Sequence, residues 1–516
     1  MGSVSKPQVI QLQPADNVGV AVQALEAGSA CDVAGQRIRL SAAVPMGHKL
    51  ATRPIAAGEP VLKYGQVIGR ATQPIAVGDW VHSHNLAMQD FEREHASATC
   101  IPPDPAPIAG RTFLGYRRPG GRGGTRNYVA VISTVNCSAA VARRIAHHFG
   151  PDELRDYPHV DGVVAFAHYS GCGVQFGGLA HTMLNRVLAG VARHPNIGAY
   201  LLVGLGCEQA DIEYLLREEQ LVRIAGNSAG PEAPPVFVMQ DQGGTAKTVA
   251  AGIRKVQELL PRVNDVRREV IPASEIVLGT NCGGSDGNSG ITANPALGVA
   301  ADMVVACGGT AILAETTEIY GAEHLLTRRA KSVAVANKLL ERIAWWKWYT
   351  SVFGVDIDNN PSVGNKQGGL TTIAEKSLGA VAKGGSTALV DVLQYAEPVR
   401  ARGLVVMDTP GYDPASVTGL IAGGANIVVF TTGRGSCFAC KPAPTLKVAT
   451  NTPMYQRMLD DMDIDAGVIL DGTPVSEVGQ QIFEEILAVA SGRKTKSEQQ
   501  GLGDDEFVPW TVGPTL

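Results

Sequence analysis

The chain has 516 residues, long enough for roughly two to four domains. Its 45% hydrophobic and 18% charged residues describe a globular protein with room for a sizeable core. A net charge of −5 with no basic stripe gives nucleic-acid binding no electrostatic footing. No apolar run approaches the roughly 18 residues that a membrane helix needs.

The first residues, Met1-Gly2-Ser3-Val4-Ser5-Lys6, lack the apolar core of a signal peptide. Lys6 stands where a myristoylation signal wants Ser or Thr. The nine cysteines are odd in number and scattered without framework spacing, which points to free thiols in a reducing cytoplasm.

Residues 1–90 read as an all-β domain. Short β-branched runs alternate with glycine and proline turns: Val9 to Leu12, Val18 to Val22 and Ile38 to Leu40. Pro54-Ile55-Ala56-Ala57-Gly58-Glu59 recurs as Pro74-Ile75-Ala76-Val77-Gly78-Asp79, each copy a turn introducing a strand. Val61 to Gly69 between them reads as a hairpin. Residues 91–112 are polar, then proline-rich (Pro102-Pro103-Asp104-Pro105-Ala106-Pro107), and read as an extended linker.

From Tyr128 the pattern is α/β, with strands at Val129 to Ile132, Val163 to Phe166 and Ala199 to Val203. More follow at Ile276 to Leu278, Ala311 to Leu313, Ala388 to Val390, Leu404 to Val406 and Ile427 to Phe430. Helical patterns fall between, at Ala139 to Phe149, Ala250 to Arg268 and Ala330 to Tyr349. Such alternation predicts parallel sheets covered by helices. A division near 268 gives a middle domain over 113–268 and a C-terminal domain over 269–516.

Three cysteines stand in glycine-rich turns. They are Cys172 in Ser170-Gly171-Cys172-Gly173, Cys207 in Gly204-Leu205-Gly206-Cys207-Glu208, and Cys282 in Asn281-Cys282-Gly283-Gly284. A lone free cysteine is ordinarily a small buried hydrophobe. Three delivered by the same kind of turn point to one soft-metal site, iron or an iron–sulfur cluster.

His82-Ser83-His84 places two imidazoles on one face of a strand, with His48 as a third candidate; solvated strand-edge histidines would read the same way. The run Ser285 to Pro295, which contains Asp286, is dense in hydrogen-bonding groups ahead of a helix, suited to a carboxylate or hydroxyls. Glu315 and Glu318 follow a strand as candidates for a general base or a hard-metal ligand. Lys366 and Arg434 sit in glycine loops, with Lys441 close behind the latter. No GxxxxGK[ST] occurs, and no nucleotide is expected. Cys437-Phe438-Ala439-Cys440 is a single CxxC pair without a second.

The ordered motifs resemble the altronate and galactarate dehydratase family over essentially the full length. In the β domain they are Gly47-His48-Lys49, Lys63-Tyr64-Gly65 and His82-Ser83-His84-Asn85. Beyond it they are Gly115-Tyr116-Arg117-Arg118, Gly124-Thr125-Arg126-Asn127, Gly204-Leu205-Gly206-Cys207-Glu208 and Cys282-Gly283-Gly284-Ser285-Asp286. Asn294-Pro295, Pro361 to Lys366 and Thr432-Gly433-Arg434-Gly435 complete them.

The resemblance implies a β-clip (SAF-type) domain, a linker, a middle dimerising domain, hence a homodimer, and a C-terminal Rossmann-like variant. It implies iron-dependent dehydration of a sugar acid to a 2-keto-3-deoxy acid. The His82-Ser83-His84-Asn85 motif looks like the altronate branch. Galactarate dehydration, or a sulfo-lyase acting on sulfolactate, stands as the alternative.

In that frame Cys172, Cys207 and Cys282 bind the iron, as Fe(II) or a cluster. His48, His84 and His168 are proton shuttles, and Lys366 joins them in the catalytic set. Lys366, Arg434 and Lys441 hold the carboxylate; His82, Asp286 and Asn365 contact the substrate. The β domain is expected to close over the site as a lid.

Overall fold

The computed structural model describes residues 7–89, 96–119, 121–209, 212–217, 219, 221 and 234–512. The expectations for Met1 to Lys6 and for residues 91–95 of the linker lie outside them.

The N-terminal domain is all-β. Strands Val9–Ile10, Val18–Ala21, Lys49–Ala51 and Trp80–Val81 form an antiparallel sheet in that order. The expected hairpin is present as Pro60–Lys63 against Gln66–Ala71. The two repeat copies pair with each other, Ile55 and Ile75 exchanging backbone hydrogen bonds of 2.9 Å each way.

This domain has two cores. Val9, Leu25, Cys31, Ile38 and Leu50 form a core of its own. Val61, Ile68 and Leu86 instead join one continuous apolar cluster with Ala293, Leu313 and Leu378 of the C-terminal domain. Burial of that shared surface fastens the two domains together.

Residues 96–111 have no strand or helix, as expected of a linker. Their backbone is tied to the C-terminal domain by Ala98 N–H to Thr327 O, 2.9 Å, Cys100 N–H to Arg328 O, 2.8 Å, and Ile108 N–H to Ala306 O, 2.9 Å. Thr112–Arg117 then pairs antiparallel with Glu269–Pro272, closing the neck of the middle domain.

The middle domain holds a parallel sheet in the order Gly162–Phe166, Tyr128–Ser133, Ile197–Gly204, Val236–Val238. Helix Leu179–Ala192 covers one face, and helices Asn136–His147 and Thr245–Asn264 the other. The tail also returns here: Phe507 and Val512 are buried in this core and Trp510 packs against it.

The C-terminal domain is a seven-stranded parallel sheet. Its order is Leu389–Leu393, Gly403–Met407, Thr310–Leu313, Val277–Cys282, Ile427–Thr432, Thr445–Ala449, Ile464–Asp465. Its central strands are buried throughout, which explains their continuous apolar runs in sequence. The chain order reverses beside Val277–Cys282, and a crevice opens at the C-terminal ends of the strands there, where open α/β sheets place their chemistry.

Candidate active site

A cleft of about 660 Å³ opens beyond the C-terminal end of the Val277–Cys282 strand. Cys282, Glu318, Lys376 and Asp413 are among its lining residues, as are Asn360, Asn365, Lys366 and Arg434.

Cys282 is the last residue of its strand and buried. Its Sγ accepts from Lys383 Nζ at 2.8 Å and lies 3.5 Å from Glu318 Oε2. Lys383 also bonds Glu315. Burial and the Glu315 charge push the Cys282 thiol far up despite Lys383, so it stays a thiol that donates to Glu318. Glu315 is held at φ +65°, a left-handed conformation that fixes the turn after its strand.

Glu318 forms a 2.6 Å ion pair with Lys376 and also accepts from Asn360 Nδ2 at 3.0 Å. Burial works against its charge, but Lys376 and Lys383 outweigh it and hold the carboxyl below its ordinary value. Asp413 goes the other way. The protein packed around it, then Glu315 and Glu318, push its carboxyl up to about 8. Asn281 Nδ2 donates to it at 2.9 Å and orients it. One carboxylate kept ionised beside one kept protonated is the arrangement that separates base from acid.

The sulfur of Cys282 and carboxylate oxygens of Glu315 and Glu318 lie within 4.8 Å of one another. They do not suit a metal ion as arranged. The Lys383 ammonium already bridges Cys282 and Glu315. A cation entering there would meet a buried cation.

Among the described residues, the sulfurs of Cys172, Cys207 and Cys282 are not all within 4.8 Å of one another. Cys282 is buried on the large sheet, whereas Cys172 and Cys207 are exposed on loops of the middle sheet. Sequence could not separate them, because each follows an apolar strand into a glycine turn and the strands belong to different sheets.

Arg434 and Lys366 line the cleft, Lys366 from the short helix Val363–Gln367 and not from the loop expected for it. Asn365 lines it too, but its side chain also builds the wall: Nδ2 donates to Ser285 O at 2.9 Å and Oδ1 completes a capping box with Ser362. Asp286 is buried, and its carboxylate accepts from Asn288 N–H, Ser289, Thr450 and Asn451, which saturates it as a brace between loops. Lys441 is paired with Asp504 at 2.6 Å and is not a lining residue.

The histidines are braces as well. His48 Nε2 donates to Gln367 O at 3.1 Å, while Nδ1 accepts from Trp80 Nε1 at 3.1 Å. Burial holds its pKa down to about 4. His82 Nε2 donates to Lys366 O at 2.9 Å. Together they grip the Lys366–Gln367 wall from behind. His84 is exposed, its ring 5.1 Å from that of Trp80. His168 is buried, with Nε2 bonded to Ser133 O at 3.0 Å and Nδ1 to Ser170 N–H at 3.1 Å, and burial takes its pKa down to about 4. With both nitrogens engaged, by backbone in His168 and by backbone and the Trp80 indole in His48, neither has one free for a proton shuttle.

Nor is the β domain free to act as a lid. Lys49 and Lys63 both reach Glu375 at 2.9 Å, all three side chains buried. Opening would strand uncompensated charges.

Lys376, Lys383, Asp413 and Glu375 gave no usable signal in sequence. Nothing in sequence marks Lys376 or Lys383 as buried, since lysine is almost never buried unless paired.

Family models match three consecutive parts of the chain. They are the altronate/galactarate dehydratase SAF domain over residues 7–89, the D-galactarate dehydratase/altronate hydrolase second domain over 115–264, and the D-galactarate/altronate dehydratase C-terminal domain over 273–515. Galactarate dehydratase (L-threo-forming) of Escherichia coli strain K12 is 38% identical, across 96% of this chain and 95% of that protein. Altronate dehydratase of the same strain is 36% identical across 95% and 97% respectively. Altronate dehydratase of Bacillus subtilis strain 168 is 34% identical across 98% and 99%. A cleft that separates an acid from a base, on a scaffold matched from its SAF domain to its C-terminal domain, places this chain in the altronate/galactarate dehydratase family of hydro-lyases.

Proposed function

We propose that this enzyme dehydrates a sugar acid, D-altronate by the motif His82-Ser83-His84-Asn85, to a 2-keto-3-deoxy acid and water. The observation that carries the reading is the pairing of an ionised Glu318 with a protonated Asp413 in one cleft. Elimination of water from a 2,3-dihydroxy acid needs a base at C2 and an acid at the C3 hydroxyl.

In this reading Arg434, on a loop at the cleft, and Lys366, on the short helix Val363–Gln367, take the substrate carboxylate, where a guanidinium can bind in bidentate fashion. Glu318 withdraws the C2 proton. The Lys376 ammonium beside it stabilises the negative charge that develops on the carboxylate as the enolate forms. Asp413 gives its proton to the departing C3 hydroxyl. The resulting enol tautomerises to the keto acid.

Iron in this reading belongs away from Cys282, because the Lys383 ammonium already bridges its sulfur and the Glu315 carboxylate. The chain has thiols elsewhere for it.

The test is a 2-keto-acid assay on D-altronate, galactarate and sulfolactate with anaerobically purified protein, with sulfite measured alongside. Keto acid from altronate without sulfite supports the reading. Turnover of galactarate alone moves the substrate within the family. Sulfite release, or no turnover of any of the three, overturns it. In the active preparation, Arg434→Gln is expected to raise KM about tenfold or more with a smaller change in kcat.

A further inference from the structure

A second constellation lies at the open edge of the middle sheet. Strands Tyr128–Ser133, Gly162–Phe166 and Ile197–Gly204 are adjacent and parallel, so their C-terminal ends share one edge. The segment after each carries an exposed, free cysteine: Cys137, Cys172 and Cys207.

Backbone and side-chain links tie these segments together. Asn136 N–H donates to Ser170 O at 2.9 Å, and Gln209 N–H to Gly171 O at 3.0 Å. Thr134 Oγ1 donates to Glu208 at 2.8 Å. The same Glu208 carboxylate accepts from the N–H groups of Leu205, Gly206 and Cys207 at 3.1, 2.7 and 2.9 Å. His168 fastens the Cys172 segment to Ser133. Gly171, at φ +97°, is so close to its neighbour that a Cβ would stand 2.4 Å from Thr134 O. Three loops are thus held rigidly against one another while the three thiols face outward.

Cys137 also lies in the first turn of helix Asn136–His147, which has no side-chain cap and no acidic residue in that turn.

We propose that Cys137, Cys172 and Cys207 bind a cubane iron–sulfur cluster, leaving its fourth iron without a cysteine ligand. The third thiol is Cys137, not Cys282. A single tetrahedral ion does not fit: at a metal–sulfur distance of about 2.3 Å its thiolates would lie roughly 3.8 Å apart. These three sulfurs are not all within 4.8 Å of one another. A cubane spaces its thiolates more widely than one ion does, and thiolate ligation is what it requires. What the cluster would serve rests on the dehydratase reading above; whether it binds does not.

The experiment is anaerobic reconstitution of the full chain with ferrous iron and sulfide, without substrate. Iron, acid-labile sulfide, visible absorption and the electron paramagnetic resonance of the dithionite-reduced protein are then recorded. About four irons and four sulfides per chain are expected. Cys137→Ser, Cys172→Ser and Cys207→Ser are each expected to lose most of the sulfide, and Cys282→Ser to keep it.

Because a variant can fail to fold, alkylation is followed by mass spectrometry on the unsubstituted protein. Cys137, Cys172 and Cys207 should be modified without metal and protected together after reconstitution. Zinc or iron bound without sulfide overturns the assignment, as does unchanged alkylation of any of the three or loss of sulfide in Cys282→Ser alone. Turnover on the sugar acids is assayed separately, so a failed cluster and a failed substrate reading are told apart.

Discussion

At the scale of single residues, the cleft depends on Asp413 keeping its proton. Its neighbours are Glu315, Glu318 and Lys376, with Asn281 as hydrogen-bond donor. Because its carboxyl titrates near 8, the acid form prevails below that pH and is lost above it. The rate should therefore fall on the alkaline side with a midpoint near 8. Asp413→Asn should cut kcat by about 10²-fold or more and abolish that limb, while KM changes little. A pH–rate profile of both proteins checks it; an unchanged profile in the variant would remove Asp413 from the chemistry. Glu315 and Glu318 were legible in sequence because they follow a strand end. Asp413 was not: an acid at the start of a helix reads as a helix-dipole partner, and only the fold turns it toward the two glutamates.

At the scale of elements, the decisive contact is between the β domain and the helix Ile373–Ala380. Lys49 and Lys63 come from separate strands and share the Glu375 carboxylate. They hold that carboxyl far below its ordinary value against its burial, while burial takes Lys49 down to about 8. Removing the shared charge leaves two buried ammonium groups facing each other. Glu375→Gln should destabilise the folded protein by roughly 3–5 kcal/mol. Replacing all three with Met, Met and Leu should recover much of the loss, as read by denaturant or thermal unfolding. Sequence gave the strands and the motif lysines, and the pairing of the two repeat copies was foreshadowed by the repeat itself. It could not give the partner: Glu375 lies 326 residues from Lys49 along the chain. The histidine pair failed as well. Spacing of two predicted one strand face for His82 and His84, but the strand stops at Val81 and both lie in the turn after it, where His82 meets the Lys366 carbonyl and His84 is exposed.

At the scale of the whole molecule, the order of an all-β domain, a linker and two parallel α/β sheets was legible, because strand and helix periods differ and the linker prolines forbid a sheet. The core shared between the first and last domains was not, since an apolar strand looks alike whichever neighbour covers it. Acid stability is set at this scale. His48, His168 and His194 come from different parts of the chain, and burial holds each near pKa 4. Each stays neutral in the folded state while its unfolded counterpart takes a proton near 6.5. The unfolded chain therefore binds more protons between these values, and stability falls as the pH drops from about 6.5 toward 4, by at most about 1.4 kcal/mol per pH unit for each histidine. Unfolding curves across that range, compared with those of His194→Gln, check the slope. A slope unchanged by the substitution would show that His194 contributes nothing to it.

The returning tail has a further consequence. Phe507, Trp510 and Val512 complete an apolar face laid down by residues such as Tyr128, Phe166 and Leu202. Because synthesis runs from the N-terminus, that face is made long before the segment that covers it. A nascent middle domain must wait with an uncovered greasy side while the entire large sheet is translated. It is in that interval that the chain is most exposed to aggregation and most in need of a chaperone.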